Sequence, residues 1–134
     1  PAQVVHQVMR ILAPDMRPLS AQIQFASDTS KFAISRLSGG TAPPMADTET
    51  PIAELRERIK KTVDYIKSVP ASAVDGSEER EVVLKFPNGE MKFTGLNYLT
   101  GFVLPNFLFH VTTAYAILRH NGVPLGKGDF LGNA

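Results

Sequence analysis

The sequence predicts an all-α fold, a helix bundle with a small β-hairpin before its last long helix. The main observation is the segment from Thr94 to His120, which is apolar on most sides and contains no Asp, Glu, Lys or Arg before Arg119. Two earlier segments repeat apolar residues at helical spacing, and an Asn-Gly turn joins two short segments of strand type. Because a helix that is apolar most of the way round needs covering elements, we expect the chain to pack around this segment.

Length and composition limit the classes of function. The 134 residues suit a single domain spanning residues 1–134. A net charge of +1 gives no electrostatic basis for binding nucleic acid. The lack of Cys excludes disulfides and thiolate metal sites, and it is consistent with a cytoplasmic protein. The chain begins at Pro1 without a signal pattern, so we expect a trimmed form of a longer protein.

The first third of the chain predicts two helices. Apolar residues at helical spacing predict a short helix from Pro1 to Leu12. A longer helix is predicted from Asp15, as its N-cap, to Leu37. Its apolar residues point inward, and the sequence predicts an opposite, solvated face that carries Gln22, Asp28, Lys31 and Ser35.

The middle of the chain predicts a third helix and the hairpin. Thr50 is the expected N-cap of a helix from Pro51 to Ser68, with an apolar stripe of Ile52, Leu55, Ile59, Val63 and Ile66. Its charged residues, including Arg58, predict a solvated face. Strands from Glu81 to Phe86 and from Met91 to Thr94 are expected around the turn at Pro87-Asn88-Gly89, where Asn-Gly favours positive φ. We expect Val83 and Phe86 to hold the hairpin against the bundle.

The long apolar segment fits a buried helix better than a membrane span. Polar residues recur through it, and in lipid each would require a polar partner; they are Asn97, Thr100, Asn106, His110, Thr112 and Thr113. We therefore expect no membrane association. Asn121-Gly122 predicts the end of the helix, and the remainder to Ala134 is expected to be a tail docked on the surface.

His110 is the strongest candidate for chemistry. It lies in the middle of the apolar helix, four residues after Asn106, so the two side chains share one face. Such a pair suits metal binding or acid–base chemistry, but a metal site needs three or four ligands and none is near in sequence. The alternative is a buried histidine that is hydrogen-bonded within the core. Burial without a carboxylate predicts a lowered pKa for His110.

The other candidates are weaker. Asp28 and Tyr115 complete a predicted ligand pocket with His110 and Asn106, placed between helices as in other bundle proteins. Asp28 is equally explained as a surface residue. His120 lies in the last predicted turn and suits the helix dipole, and His6 has no identifiable partner.

Two motifs indicate a family. Leu12-Ala13-Pro14-Asp15-Met16 is the first, and the second runs from Pro105 to Gly132. On these motifs the chain resembles an uncharacterised family of bacterial and fungal helical proteins, itself similar to the DinB/YfiT-like four-helix bundles. The resemblance covers essentially the whole chain. It implies an up-down-down-up bundle, often a homodimer, with a further first helix that is absent from this chain.

The resemblance also implies a metal site that has been lost. Typical DinB relatives hold a divalent metal with three histidines, two of them as His-x-x-x-His on the last long helix. Carried onto this chain, that pair falls on Asn106 and His110, and the third ligand falls near Phe25. We therefore expect a degenerate metal site with no bound cofactor, in which His110 alone is kept.

Two classes of function follow from these observations. The first is a homodimeric bundle protein that is structural or binds a small molecule. The alternative is an enzyme with a pocket around His110, using metal-independent acid–base chemistry or acting as a DinB-like metal-dependent transferase. Because the visible helices leave apolar surface uncovered, we expect a second copy to bury it in an interface above roughly 2,000 Å².

Overall fold

The computed structural model describes residues 9–133. The described chain is mostly helical and carries one two-stranded antiparallel sheet. The first helices are α1 (Leu19–Ser38) and α2 (Ile52–Ser68), and a 3₁₀ turn (Ala71–Ala73) precedes strands β1 (Glu81–Phe86) and β2 (Gly89–Thr94). Then follow α3 (Gly95–Tyr98), a π-helical turn (Leu99–Val103), α4 (Leu104–His120) and the short α5 (Lys127–Leu131). We call the continuous helix Gly95–His120 the central helix.

Helix α1 lies between α2 and the central helix and contacts both. The hairpin packs beside the C-terminal half of α1 and the start of the central helix. A buried apolar cluster joins these elements, and it consists of Ala33, Leu37, Val82, Leu84, Tyr98 and Val103. The hydrophobic core therefore lies at the hairpin end of the molecule.

The first two predicted helices differ from the structure. The prediction for Pro1 to Leu12 falls mainly outside the described residues, and the described part from Met9 onward is not helical. Helix α1 begins at Leu19 after Pro18, so the prediction that Asp15 caps it is wrong. Proline disfavours helical backbone in the residue before it, which delays the start of the helix to the residue after Pro18.

The predicted solvated face of α1 is also wrong. Gln22, Lys31 and Ser35 are all buried. The helix is the middle element of three, so neighbours cover it on both sides and its polar residues must find partners inside the protein.

Helix α2 follows its predicted span, but its exposure pattern is different. Its N-cap is Pro51, and the backbone N–H of Thr50 donates to a Glu54 carboxylate oxygen at 3.2 Å. Arg58, predicted to be solvated, is buried, whereas Ile59 and Val63 of the predicted core stripe are exposed. The helix packs mainly on α1 and on the loop that precedes it, which leaves Ile59 and Val63 uncovered in the described chain.

The hairpin is confirmed, but other residues supply its main contacts. Val82 and Leu84 are buried, Val83 is half-buried and Phe86 is exposed, so the prediction that Val83 and Phe86 hold the hairpin against the bundle is wrong. Strand residues alternate between faces, so Phe86 shares the face of Val82 and Leu84 but lies at the end of β1, whereas Val83 lies on the opposite face.

The hairpin turn has a two-residue connection. Phe86 pairs with Gly89, which leaves Pro87 and Asn88 as the loop. Gly89 has φ +148°, and no non-glycine residue among the described ones has positive φ, so the expected positive φ at Asn88 is wrong. Glycine is needed at the first position of β2 rather than within the loop.

The central helix begins with a close approach of two backbone segments. The Thr94 hydroxyl accepts from the Asn97 backbone N–H at 3.3 Å and caps the helix. A Cβ atom on Gly95 would lie 1.9 Å from the Ser77 carbonyl oxygen. A π-helical turn then precedes Pro105. In a regular α-helix the proline ring would clash with a backbone carbonyl of the preceding turn, and the π-helical turn replaces that regular geometry.

The central helix is less buried than its composition predicts. Leu104, Leu108 and Phe109 are each about half exposed (48%, 48% and 54%). By length and composition alone the helix could cross a membrane. Its polar residues Asn106 and His110 nevertheless form hydrogen bonds with side chains of α1. Its Thr113 and Ile117 are buried, so one face belongs to the protein interior.

The predicted docked tail contains an additional helix. The Gly126 N–H donates to the Asp129 carboxylate at 2.7 Å and starts α5. The ring of Phe130 meets Tyr115 edge-on at 6.1 Å, which joins the tail to the central helix.

Candidate functional site

Two polar contacts join the central helix to α1. The Asn106 side-chain amide donates to the Thr29 hydroxyl at 2.8 Å. One turn later, His110 Nδ1 lies 2.8 Å from the Gln22 amide oxygen. The expectation that His110 is hydrogen-bonded is confirmed, but the residue is half-buried and not buried as expected. Its partner Gln22 was predicted to lie on the solvated face of α1.

The imidazole of His110 is packed between aromatic rings. Phe25 lies with its centroid 5.1 Å from the ring, and Phe109 meets the ring edge-on at 5.2 Å. Burial lowers the pKa of His110 below its usual range, and no charged group opposes this. The ring is therefore neutral at pH 7 and suited to accept a hydrogen bond or a proton.

Asp28, Asn106 and His110 line one cavity of about 210 Å³. We call it the aromatic cavity, because aromatic rings from α1, the hairpin and the central helix form most of its walls. The remaining lining residues are Phe25, Thr29, Phe32, Arg36, Leu84, Lys85, Phe86, Tyr98 and Phe102. Inside it, an Arg36 guanidinium N–H donates to the Tyr98 hydroxyl at 2.8 Å, and the same guanidinium lies over the Phe32 ring.

Tyr115 is not part of this cavity, so the predicted four-residue pocket is divided in two. It lines a larger space of about 530 Å³ on the other side of His110. We call this space the apolar groove. Its lining residues are Gln22, Ile23, Ala26, Ser27, Ser30, Ile59, Thr62, Val63, Ile66, Phe107, His110, Val111, Ala114, Tyr115, Leu118, Leu125, Asp129 and Phe130.

Asp28 belongs to a buried ionic cluster as well as to the aromatic cavity. Its carboxylate is 3.0 Å from Lys31 Nζ and 2.8 Å from the Arg58 guanidinium, and both basic side chains are buried. Arg58 also pairs with Glu49 and Asp47, each at 3.0 Å. The cluster fixes the rotamer of Asp28 and ties α1 to α2, so Asp28 is neither a free surface residue nor a free catalytic base.

Hydrogen bonds and charges within this cluster shift the pKa values of Glu49 and Arg58. Burial acts to raise the pKa of Glu49, but hydrogen bonds from Arg58 and Gln24 outweigh it and leave the pKa below its usual range. Burial likewise acts to lower the pKa of Arg58, and the surrounding carboxylates raise it overall. Glu49 and Arg58 therefore both stay charged at neutral pH.

The residues around His110 do not fit the metal site that the resemblance implies. Phe25, at the position of the third ligand, lies against His110, and Asn106 stands at the position of the second. Within residues 9–133, no three His, Cys, Asp or Glu side chains are grouped to hold a metal ion. This donor set offers one imidazole, whereas protein sites for zinc and similar metals use three or four ligands.

Comparisons with known proteins identify the family. Residues 4–131 match a domain of unknown function, DUF1993. The chain belongs to the DUF1993 family. The DUF1993 chain is also similar to a solved structure described as a DinB family member protein from Shewanella denitrificans, at 38% identity and a TM-score of 0.85. That match covers 98% of this chain and 75% of the Shewanella chain, which is therefore longer. No curated protein matches.

Three residues of α1 that were not predicted as site residues hold the site together. Gln22, Phe25 and Thr29 recur at helical spacing on one face of α1, and they contact His110 and Asn106. This spacing was visible in the sequence. What the sequence did not show was that the polar face of α1 meets the central helix instead of solvent.

Proposed function

We propose that this DUF1993-family protein binds a small organic molecule in the aromatic cavity without a resident metal. The observation that carries the proposal is that Asp28, Asn106 and His110, three of the candidates chosen from sequence, line the same cavity. Ligand sites in proteins are concave and mostly apolar, with a few polar groups that fix orientation. The aromatic cavity has this composition and suits a ligand of one aromatic ring with polar substituents.

A ligand-detected NMR screen of single-ring aromatic compounds tests this proposal. We expect compounds that bind the wild-type protein to lose binding in Asn106→Leu. Asn97→Leu is the matched control, because Asn97 is an exposed amide on the same helix. Equal binding by both variants, or no compound bound by the wild-type protein, would contradict the proposal.

Replacing the missing ligands tests the claim that the site is a metal site with its donors removed. Phe25→His with Asn106→His would present three imidazoles together with His110. We expect about one zinc per chain in this double variant by elemental analysis, and no stoichiometric zinc or nickel in the wild-type protein. Stoichiometric metal in the wild-type protein that is lost in His110→Ala would refute the metal-free function.

Metal-independent acid–base catalysis is the second candidate. The observation that favours it is a neutral His110 whose Nδ1 is held by Gln22. A positioned imidazole of this kind can accept a proton from a bound substrate. Turnover of a bound compound that is lost in His110→Gln, with binding retained, is the result that would favour an enzyme over a binding protein.

We also propose that the protein is a cytoplasmic homodimer in which the up-down-down-up bundle is completed through the apolar groove. Residues of α1, α2, the central helix and the tail line the groove, and Ile59 and Val63 among them are exposed. From residue 93 to residue 118 the chain has no Asp, Glu, Lys or Arg, and Asp129 is the carboxylate among the described residues that line the groove. A second copy presents the same largely apolar face, so a symmetric contact buries mainly apolar surface on both chains.

Light scattering at micromolar concentration tests the dimer. We expect twice the mass of the chain, and the monomer mass would contradict the proposal. Flotation with neutral phosphatidylcholine vesicles distinguishes the remaining possibility, because a monomer that floats with vesicles would assign the groove to lipid.

A further inference from the structure

The hydrogen bonds around Asn106 fix which way its amide points. The Thr29 hydroxyl donates its single proton to the Phe25 carbonyl oxygen at 2.7 Å. The Thr29 oxygen can then only accept from Asn106, so the Asn106 NH₂ group faces Thr29. Its carbonyl oxygen Oδ1 is left as an acceptor with no protein partner among residues 9–133.

A second chain of hydrogen bonds fixes the tautomer of His110 in the same manner. The Gln22 NH₂ group donates to the Arg17 carbonyl oxygen at 3.0 Å, which turns the Gln22 amide oxygen toward His110. An amide oxygen only accepts, so His110 Nδ1 carries the proton. In the neutral ring the second nitrogen, Nε2, then has a lone pair and no proton.

Each of these two series of hydrogen bonds ends in an acceptor atom that solvent can reach. Within residues 9–133, the buried side-chain polar atoms without a partner are limited to Arg58 Nε. Asn106 Oδ1 and His110 Nε2 have no bond partner in that range and are not buried, so they are accessible. Asp28 adds a carboxylate, which also accepts only, to the same cavity.

We infer that the aromatic cavity selects ligands whose ring carries hydrogen-bond donors, such as hydroxyl or amino groups, and disfavours ring compounds without them. This inference rests on the proposed binding function and names its ligand class. Gln22 and Thr29 are positioning residues in this scheme, because each acts through the side chain that it orients. The Arg36 guanidinium does not reverse this polarity, since it already donates to Tyr98.

The tautomer is measured directly by ¹⁵N NMR of the histidine ring in the protein without added ligand. We expect His110 to be protonated on Nδ1 at pH 7.5, and Gln22→Leu to shift it toward the Nε2-protonated form. Gln22→Glu keeps an acceptor and should restore protonation of Nδ1. An Nε2-protonated ring in the wild-type protein would overturn the inference whether or not any ligand binds.

Binding of phenol and fluorobenzene, which have nearly the same shape, tests the selectivity. One hydrogen bond predicts that phenol binds about fivefold more tightly than fluorobenzene. Thr29→Val, which frees the Asn106 amide to turn, should reduce this ratio, and Thr29→Ser, which keeps the hydroxyl, should preserve it.

The outcomes separate the inference from the function on which it rests. Equal binding of phenol and fluorobenzene, lost for both in Asn106→Leu, would keep the binding site and overturn its donor selectivity. If neither probe binds while the ¹⁵N spectrum shows the Nδ1-protonated ring, the proposed function fails for this ligand class, and the selectivity fails with it.

Discussion

The aromatic cavity and the apolar groove meet at His110, yet they differ in how their walls are built. In the aromatic cavity, Asn106 is held by Thr29, Asp28 by Arg58 and Arg36 by Tyr98. The apolar groove is larger and is formed mostly by aliphatic and aromatic side chains of three long helices and the tail. Fixed polar groups give orientation to a small ligand, whereas a long apolar surface suits a second protein chain.

The volume of a cavity does not by itself identify the ligand site. The groove has about 530 Å³ against about 210 Å³ for the aromatic cavity, but its apolar lining would hold a small molecule in no defined orientation. The smaller cavity has the groups that specify a ligand. Substitutions can be chosen that change the aromatic cavity or the apolar groove and leave the other intact.

Arg58→Met should have the largest effect. It removes the partner of Asp28, Glu49 and Asp47, and breaking a buried ion pair costs several kcal/mol. Because Asp28 and Asp47 are partly exposed to water, we expect the free energy of unfolding to fall by about 3 kcal/mol, near the lower end of that range. Urea denaturation measures the loss, and aromatic-cavity ligands should weaken along with it.

Lys60→Met is the matched control for Arg58→Met on the same helix. Lys60 pairs with Asp64 at 2.6 Å, but both side chains are well exposed to solvent. Exposed pairs contribute little, so no change in the urea midpoint is expected. Equal destabilisation by the two variants would show that the buried cluster has no special role.

Val63→Asp should affect the apolar groove and leave the aromatic cavity unchanged. Val63 is 40% exposed in the single chain, so the folded monomer tolerates a charge there. In a dimer the carboxylate would be buried without a partner, and we expect the dissociation constant to rise at least about a hundredfold. Sedimentation measures this change, and Lys61→Asp on the exposed face is the control. An undisturbed dimer would exclude the groove as the interface.

Gly89→Ala should have a moderate effect, confined to the hairpin wall of the aromatic cavity. Gly89 has φ +148°, which strains a residue with a Cβ atom, and we expect a loss of about 1 kcal/mol. Asn88→Ala should cost clearly less, because Asn88 does not have positive φ. Thermal unfolding compares the two variants, and a larger loss in Asn88→Ala would mean that the turn is of the Asn-Gly type after all.

The smallest expected effect is a pH dependence that comes from His110. Its folded pKa lies below the usual value of about 6.5, so the unfolded chain binds more protons between the two values. Stability should therefore decrease as the pH falls from about 6.5 toward the folded pKa. His110→Gln should reduce the slope of stability against pH in this window. An unchanged slope would show that other groups cause it.

The sequence predicted the secondary structure well wherever local signals determine it. The spans of α2, β1 and the central helix follow from helical spacing, strand alternation and the Gly122 stop signal. The start of α1 was misplaced because two local signals compete there, the Asp15 cap and Pro18. The restriction imposed by proline was the stronger of the two.

The sequence predicted burial poorly, because burial depends on which elements become neighbours. Lys31 and Arg58 looked solvated, but both are buried against the Asp28 carboxylate. The chain between α1 and α2 also brings Glu49 and Asp47 to Arg58. The central helix looked fully buried, yet its outer face has no covering element among residues 9–133. Asp28, Asn106 and His110 line one cavity, as the predicted pocket requires, whereas Tyr115 lines the groove instead.

The central claim is that a small ligand occupies the aromatic cavity and not the apolar groove. Intermolecular NOEs from bound phenol to the protein, with methyl and aromatic side chains labelled, test it most directly. We predict NOEs to the rings of Phe25 and Phe102, which line only the aromatic cavity. NOEs to the methyl groups of Ile59 and Val63 in the groove, without any to those rings, would contradict it.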